Sequence, residues 1–198
     1  MNTAQNSPKR GYRHISVIPS STRHPAAKGH YVTKDGRDVL DKTAGSLSAQ
    51  LYRLLPIAVS EVNTLALPES INVSDRFVVS ISLADRADIE HPVGMANIVE
   101  TGSTDRIVWA KKDSGCGYSR LVVGRQPAPT DTVTMIIKRR HEAPGKFILL
   151  NAWCGIEPPE LWHDDRSEES DRFWENHAFL FEYTPILAAT ITEQPPET

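Results

Sequence analysis

Eight side chains in this sequence have the types needed to handle a phosphodiester: Lys111, Arg120, Thr134, Lys138, Asn151 and Trp153, with His91 or His177 as proton carrier. A lysine or arginine stabilises charge that builds on the phosphate, and an imidazole moves the proton of a ribose 2′-hydroxyl. A threonine hydroxyl hydrogen-bonds a phosphate oxygen, and an exposed indole stacks a base. On this reading His177, Arg120, Thr134 and His91 are catalytic, and Lys111, Lys138, Asn151 and Trp153 hold the substrate. The chemistry requires neither a metal nor a cofactor. Each residue also has a structural reading. His177 shares helical spacing with Phe173, Trp174 and Phe181, which suits a packed histidine. His91 precedes Pro92 in a turn, Trp153 suits a core, and Arg120 and Lys138 suit solvated or salt-bridged positions, as most charged residues do.

These residues depend on strands for their placement. Thr132–Lys138 and Lys146–Cys154 are β-rich runs separated by the polar loop Arg139–Gly145, which carries Pro144 and Gly145, a hairpin signal with a long turn. In the first run Thr132, Thr134, Ile136 and Lys138 share one face, and Val133, Met135 and Ile137 the other. Further strands are expected at residues 15–18, 30–33, 76–83, 106–110 and 118–123, with Phe77, Val79, Ile81 and Leu83 on one face of the third. Residues 124–131, with two prolines, read as a loop. A helix is expected over about residues 44–55, where Leu47, Leu51, Leu54 and Leu55 form one stripe. Thr43 or Ser46 would cap it, and Pro56 would end or kink it. A second helix is expected over residues 166–179, opened by Asp165 with Glu168. Helix, strands, helix is an α+β order, with a mainly antiparallel twisted sheet of about five strands.

The length, 198 residues, suits one domain over residues 14–191, with loose ends at 1–13 and 192–198. No apolar run approaches the ~20 residues of a membrane helix, and the N-terminus has no hydrophobic signal region. A cytoplasmic location is expected, without membrane contact. Cys116 and Cys154 are the two cysteines; with no CxxC, structural zinc is not expected. His163, Asp164 and Asp165 are adjacent rather than convergent, and so make a poor metal site. P-loop, GxGxxG, GxSxG and HExxH motifs are all missing, which lowers the case for nucleotide, dinucleotide, serine-hydrolase and zinc-protease chemistry.

Charge is uneven. Residues 106–146 hold nine Lys/Arg against three Asp/Glu, a balance of +6, whereas residues 156–198 hold two against eleven, a balance of −9. The basic centre suits a polyanion such as RNA. The acidic C-terminal region suits a protein partner, or covers the basic centre within the chain.

The segments Tyr118-Ser-Arg-Leu-Val, Pro129-Thr-Asp-Thr-Val-Thr-Met-Ile-Ile-Lys138, Phe147-Ile-Leu-Leu-Asn-Ala-Trp-Cys-Gly155 and Phe173-Trp-Glu-Asn-His-Ala178 resemble a group of uncharacterised bacterial proteins. More distantly, the strand order and the Asn-Ala-Trp element are similar to the ribonuclease folds of barnase, EndoU and RelE-type toxins. That resemblance implies metal-independent RNA cleavage or binding, toxin-like in character, with Arg120 and Thr134 at functional positions. Trp153 stands where many relatives have Tyr, so a phenolic acid is missing there. The alternative is a non-catalytic protein-interaction module or accessory protein.

Overall fold

A computed structural model describes residues 29–43, 47–67, 76–111, 118–140, 143, 145–159, 167–183 and 191–194. It is α+β, as the order of elements implies, but its strands divide over two five-stranded sheets and one two-stranded pair.

The first sheet is built from β1 (His30–Val32), β2 (Asp38–Asp41), β3 (Arg76–Ser82), β9 (Thr132–Arg139) and β10 (Lys146–Cys154), in the order β1-β2-β10-β9-β3. The expected hairpin is its centre. Alternation decides which side faces the core: Val133, Met135 and Ile137 are almost fully buried. Their neighbours across the sheet, Phe147, Leu149 and Val39, join the same cluster. A register shift between Leu149 and Asn151 inserts one residue into β10. β2 joins β10 in parallel, and all other pairings in this sheet are antiparallel.

Helix α1 (Ala49–Ser60) covers the core face with Leu51, Leu54, Leu55, Ala58 and Val59. Burying each leucine is worth about 1.5–3 kcal/mol. The helix starts later than the leucine spacing suggested and runs through Pro56. Ser48 is the cap, accepting from Leu51 N at 3.2 Å. Thr43 instead bonds Asp41 and the Tyr52 hydroxyl; Ser46 lies outside the described residues. Pro56 removes one backbone bond, and the burial of Ala58 and Val59 beyond it outweighs that loss.

Asp35 sits in the turn between β1 and β2 and ties it to a short 3-10 turn at Thr64–Ala66. Its carboxylate accepts from the Thr64 amide and hydroxyl and from the Thr33 hydroxyl. Burial works to raise its pKa, but these donors outweigh burial and bring it to about 2.

The second sheet contains β5 (Ile98–Glu100), β6 (Ile107–Lys111), β7 (Tyr118–Val122), β11 (His177–Leu180) and β12 (Ile191–Thr192), in the order β12-β6-β7-β11-β5. One face packs Ile98, Val108, Leu121 and Phe179 under Trp174. The other buries Val99, Val122, Ala178 and Leu180. Helix α2 (Glu168–Asn176) is capped by Ser167, which accepts from Ser170 N at 3.1 Å; Asp165 lies outside the described residues. The helix expected to reach residue 179 ends at Asn176. Residues from His177 on form β11, because pairing to β7 and β5 buries Ala178, Phe179 and Leu180 on both faces. Thr192 pairs with Trp109, so the expected C-terminal tail begins inside β12.

The expected loop at residues 124–131 contains β8 (Ala128–Thr130), which pairs with β4 (Gly94–Ala96). Gly94 packs directly on Cys154: a Cβ there would lie 2.3 Å from the Cys154 sulfur. Cys154 is a free, buried thiol whose pKa burial pushes up to about 11. The expected strand at residues 15–18, the N-terminal segment 1–13 and Cys116 lie outside the described residues. No described helix is long and apolar enough to cross a membrane.

Candidate functional site

The eight candidate residues fall in three separate places. Four lie on the face of the first sheet turned away from α1, because directly paired residues share a face. Ser80, Thr134 and Trp153 form one row across this face, Val78, Ile136 and Asn151 the next, and Arg76, Lys138 and Ile148 the last.

Thr134 is fully buried. Its hydroxyl donates to the Gly155 carbonyl at 2.6 Å and lies 2.8 Å from the Ser80 hydroxyl. Trp153 is 2% exposed, with its indole N–H donating to the Ile156 carbonyl at 3.3 Å. The chain turns back after β10 at Gly155, φ +108°, and residues 155–156 bond both side chains. An exposed stacking indole is therefore not what this fold provides. The Asn151 side-chain oxygen accepts from Ala152 N at 3.0 Å, beside the register shift. Lys138 is half-buried at the hairpin end of β9.

Arg120 and His177 belong to the second sheet. The Arg120 guanidinium donates to the Thr101 hydroxyl at 2.9 Å and to the His177 backbone carbonyl at 2.7 Å. Desolvation lowers its pKa, opposed by Asp105. Phe179 is paired with Leu121, so the His177 side chain, two residues before Phe179, lies on the Leu121 face. Arg120, next to Leu121, points to the other face. The His177 ring stacks on Phe173 with centroids 4.1 Å apart and planes 4° apart, and its Nδ1 lies 2.9 Å from the Phe173 carbonyl. The sheet thus separates the arginine and the imidazole that cleavage would pair. Lys111 closes β6, opposite Tyr118.

His91 is in neither sheet. Its Nδ1 lies 2.7 Å from the Asp131 carboxylate and its Nε2 2.7 Å from the Arg86 carbonyl. Asp131 also accepts from Val93 N. The Arg86 guanidinium is turned to Glu61 and Asp88. Two acceptors on one imidazole favour the protonated ring: the Arg86 carbonyl, then Asp131, raises the His91 pKa, and His91 lowers that of Asp131. Both ring nitrogens are occupied in a clasp between the loop after β3 and the start of β9.

The clasp gives a pH signature. A raised histidine pKa contributes stability that is complete below about 6.5 and lost as pH rises through the raised value. The lowered Asp131 contributes stability that is lost as pH falls below about 4. His91→Gln should lower the melting temperature most at about pH 5–6.5, with the gap to wild type narrowing above neutrality. Thermal melts of both proteins across pH check this; a gap of constant size would show that the ring charge contributes nothing.

What sequence spacing missed is how the basic centre divides. In the second sheet Arg125 pairs with Asp105 at 3.0 Å and Arg106 with Glu193. Glu193 of the acidic C-terminal region thus meets Arg106 in an ion pair whose two side chains both stay 67% exposed. At the hairpin end of the first sheet, pairing gathers Arg76, Lys138, Arg139, Arg140 and Lys146, with Arg37 against Gly145. Lys146 shares Asp38 with His30, Arg139 lies over the Phe77 ring at 5.0 Å, and Arg37 is 3.8 Å from Asp35. Among the described residues Arg76, Lys138 and Arg140 have no ion pair. Arg37 and Arg76 lie far from the hairpin in sequence, and only strand register unites them with it.

Among the described residues no group of three or more His, Cys, Asp or Glu side chains could hold a metal ion; residues 163–165 lie outside them. Burial pushes the Glu157 carboxyl up to about 7, a value suited to proton transfer. The residue as a whole is nevertheless exposed, which argues against a dry catalytic pocket around it. No protein-family model, curated protein or solved structure matches this chain.

Proposed function

We propose that this protein binds a polyanion, RNA in the first instance, without cleaving it, through the hairpin end of the first sheet. The reading rests on Arg76, Lys138 and Lys146 on the open face, with Arg140 at the hairpin turn and Arg37 beside Gly145; Arg139 lies on the core side, over the Phe77 ring. Cations held on paired strands are spaced by the sheet, and neutralising phosphates releases counterions from the nucleic acid. Cleavage is left out of the reading because Arg120 and His177 point to opposite faces and Thr134 is buried in the other sheet.

Labelled single-stranded RNA titrated at several salt concentrations tests this by fluorescence anisotropy. Affinity should fall steeply with salt. The K138A/R140A variant should bind more weakly, with the slope of log K against log salt shallower by roughly 0.7 for each contact removed. RNA should stay intact in EDTA. No binding at low salt, or equal binding by the variant, would reject the proposal.

A protein-interaction module is the second reading. It draws on Val32 and Val78, 59% and 46% exposed on the same open face, and on the buried Trp153, which leaves that row without a base platform. Deleting residues 156–198 is a poor test of an acidic contact surface, because the deletion removes β11 from the middle of the second sheet.

A further inference from the structure

The outer edge of β3 is long and regular, and among the described residues no backbone pairs with it. β3 runs for seven residues, Arg76–Ser82, and pairs with β9 in unbroken register. Its other edge has no backbone partner among the described residues. Edge strands usually carry a proline, a bulge or a central charge that deters pairing. β3 has none of these: its one charged residue, Arg76, stands at its end. Val79 and Ile81 are only half-buried although they pack against the core, and Val78 is 46% exposed.

We propose that β3 pairs antiparallel with β3 of a second copy of this chain, about a two-fold axis at Val79. The strand is suited to itself in this register. Val79 meets Val79, and Phe77 meets Ile81, on the core side. Val78 meets Ser80, and Arg76 meets Ser82, on the open side. No charge faces a like charge, and the full length of the strand is used. Other antiparallel registers with a two-fold axis leave strand ends unpaired. Pairing brings the half-buried Val79 and Ile81 of both copies together and continues the apolar cluster across the axis. The interface is isologous and closes at two copies. It joins the two first sheets, five strands from each copy, into one continuous sheet. The inference does not depend on RNA binding, and its test contains no RNA.

Size-exclusion chromatography with light scattering, on the full chain over a range of concentrations, should show a dimer. The V78K/S80K variant places lysine opposite lysine at two points and should weaken the dimer by roughly tenfold or more. The V78K/S80E variant places lysine opposite glutamate at the same two points and should restore it. Both variants lose the same Ser80–Thr134 hydrogen bond, so their difference reports the cross-strand pairing. A wild-type chain that stays monomeric overturns the proposal, even if a strand-forming peptide from another protein then binds the edge. So does a dimer that both variants leave unchanged, which would use another surface. Should either variant fail to fold, amide exchange on the wild type decides: β3 amides must exchange more slowly as concentration rises, and concentration-independent exchange overturns the proposal.

Discussion

Gly94→Ala should cost about 1–3 kcal/mol of stability, the range for overpacking a tight interior contact. The added methyl would sit 2.3 Å from the Cys154 sulfur and 2.7 Å from its Cβ. Rotating the thiol moves the sulfur but not the Cβ. Cys154 cannot back away cheaply, because β10 is held there by its pairing with Val133 and by the Gly155 amide bonded to the Thr132 carbonyl. The expected release is therefore graded: Cys154→Ala relieves little of the Gly94→Ala penalty, and Cys154→Gly relieves most of it. Urea unfolding of the single and double variants measures the coupling. Fully additive penalties would mean that β4 does not pack on β10 in solution.

Asp35→Ala should be about as damaging, at about 2–4 kcal/mol. Its carboxylate satisfies the amide and hydroxyl of Thr64, which is 6% exposed, and the hydroxyl of Thr33. Removing it orphans buried donors as well as losing charge-assisted bonds. The acid dependence has a definite sign. The Asp35 pKa is depressed to about 2, so its contribution is present above the ordinary carboxylate value, near 4, and is lost as pH falls toward 2. Wild type and Asp35→Ala should converge in stability across that interval. Acid unfolding curves that stay parallel would show that folding does not shift the Asp35 pKa and that its charge contributes nothing to stability.

The alternation in β9 and β3 was legible because a strand with one face on a core must repeat every second residue. The stripe of Leu47, Leu51, Leu54 and Leu55 was legible for the corresponding helical reason. Two kinds of information were not. Phe173, Trp174, His177 and Phe181 have helical spacing, yet His177 opens a strand in which Ala178, Phe179 and Leu180 are buried; a strand buried on both faces has no polar–apolar alternation to read. The short pair β4–β8 depends on contacts between distant segments, and Pro129 hides it locally. The scatter of the candidate residues over separate parts of the fold was hidden for the same reason. Arg120, Thr134 and His177 were grouped by chemical type, and nothing local in sequence assigns a strand to one sheet or a side chain to one face. The cation cluster at the hairpin end was half visible, as the +6 balance, and acquired Arg37 and Arg76 only through strand register.

The parallel pairing of β2 with β10 has a consequence for synthesis of the chain. The partner of Asp41 is Leu149, and the apolar face of α1 rests on Val133, Met135 and Leu149. A ribosome adding about 5–20 residues per second reaches that partner roughly 5–20 s after it has made β2. Until then the leucines of α1 have no sheet to cover. The nascent N-terminal half must therefore wait in the open, in the interval when a holdase would find it, and the hairpin Thr132–Cys154 is the piece whose emergence ends the wait.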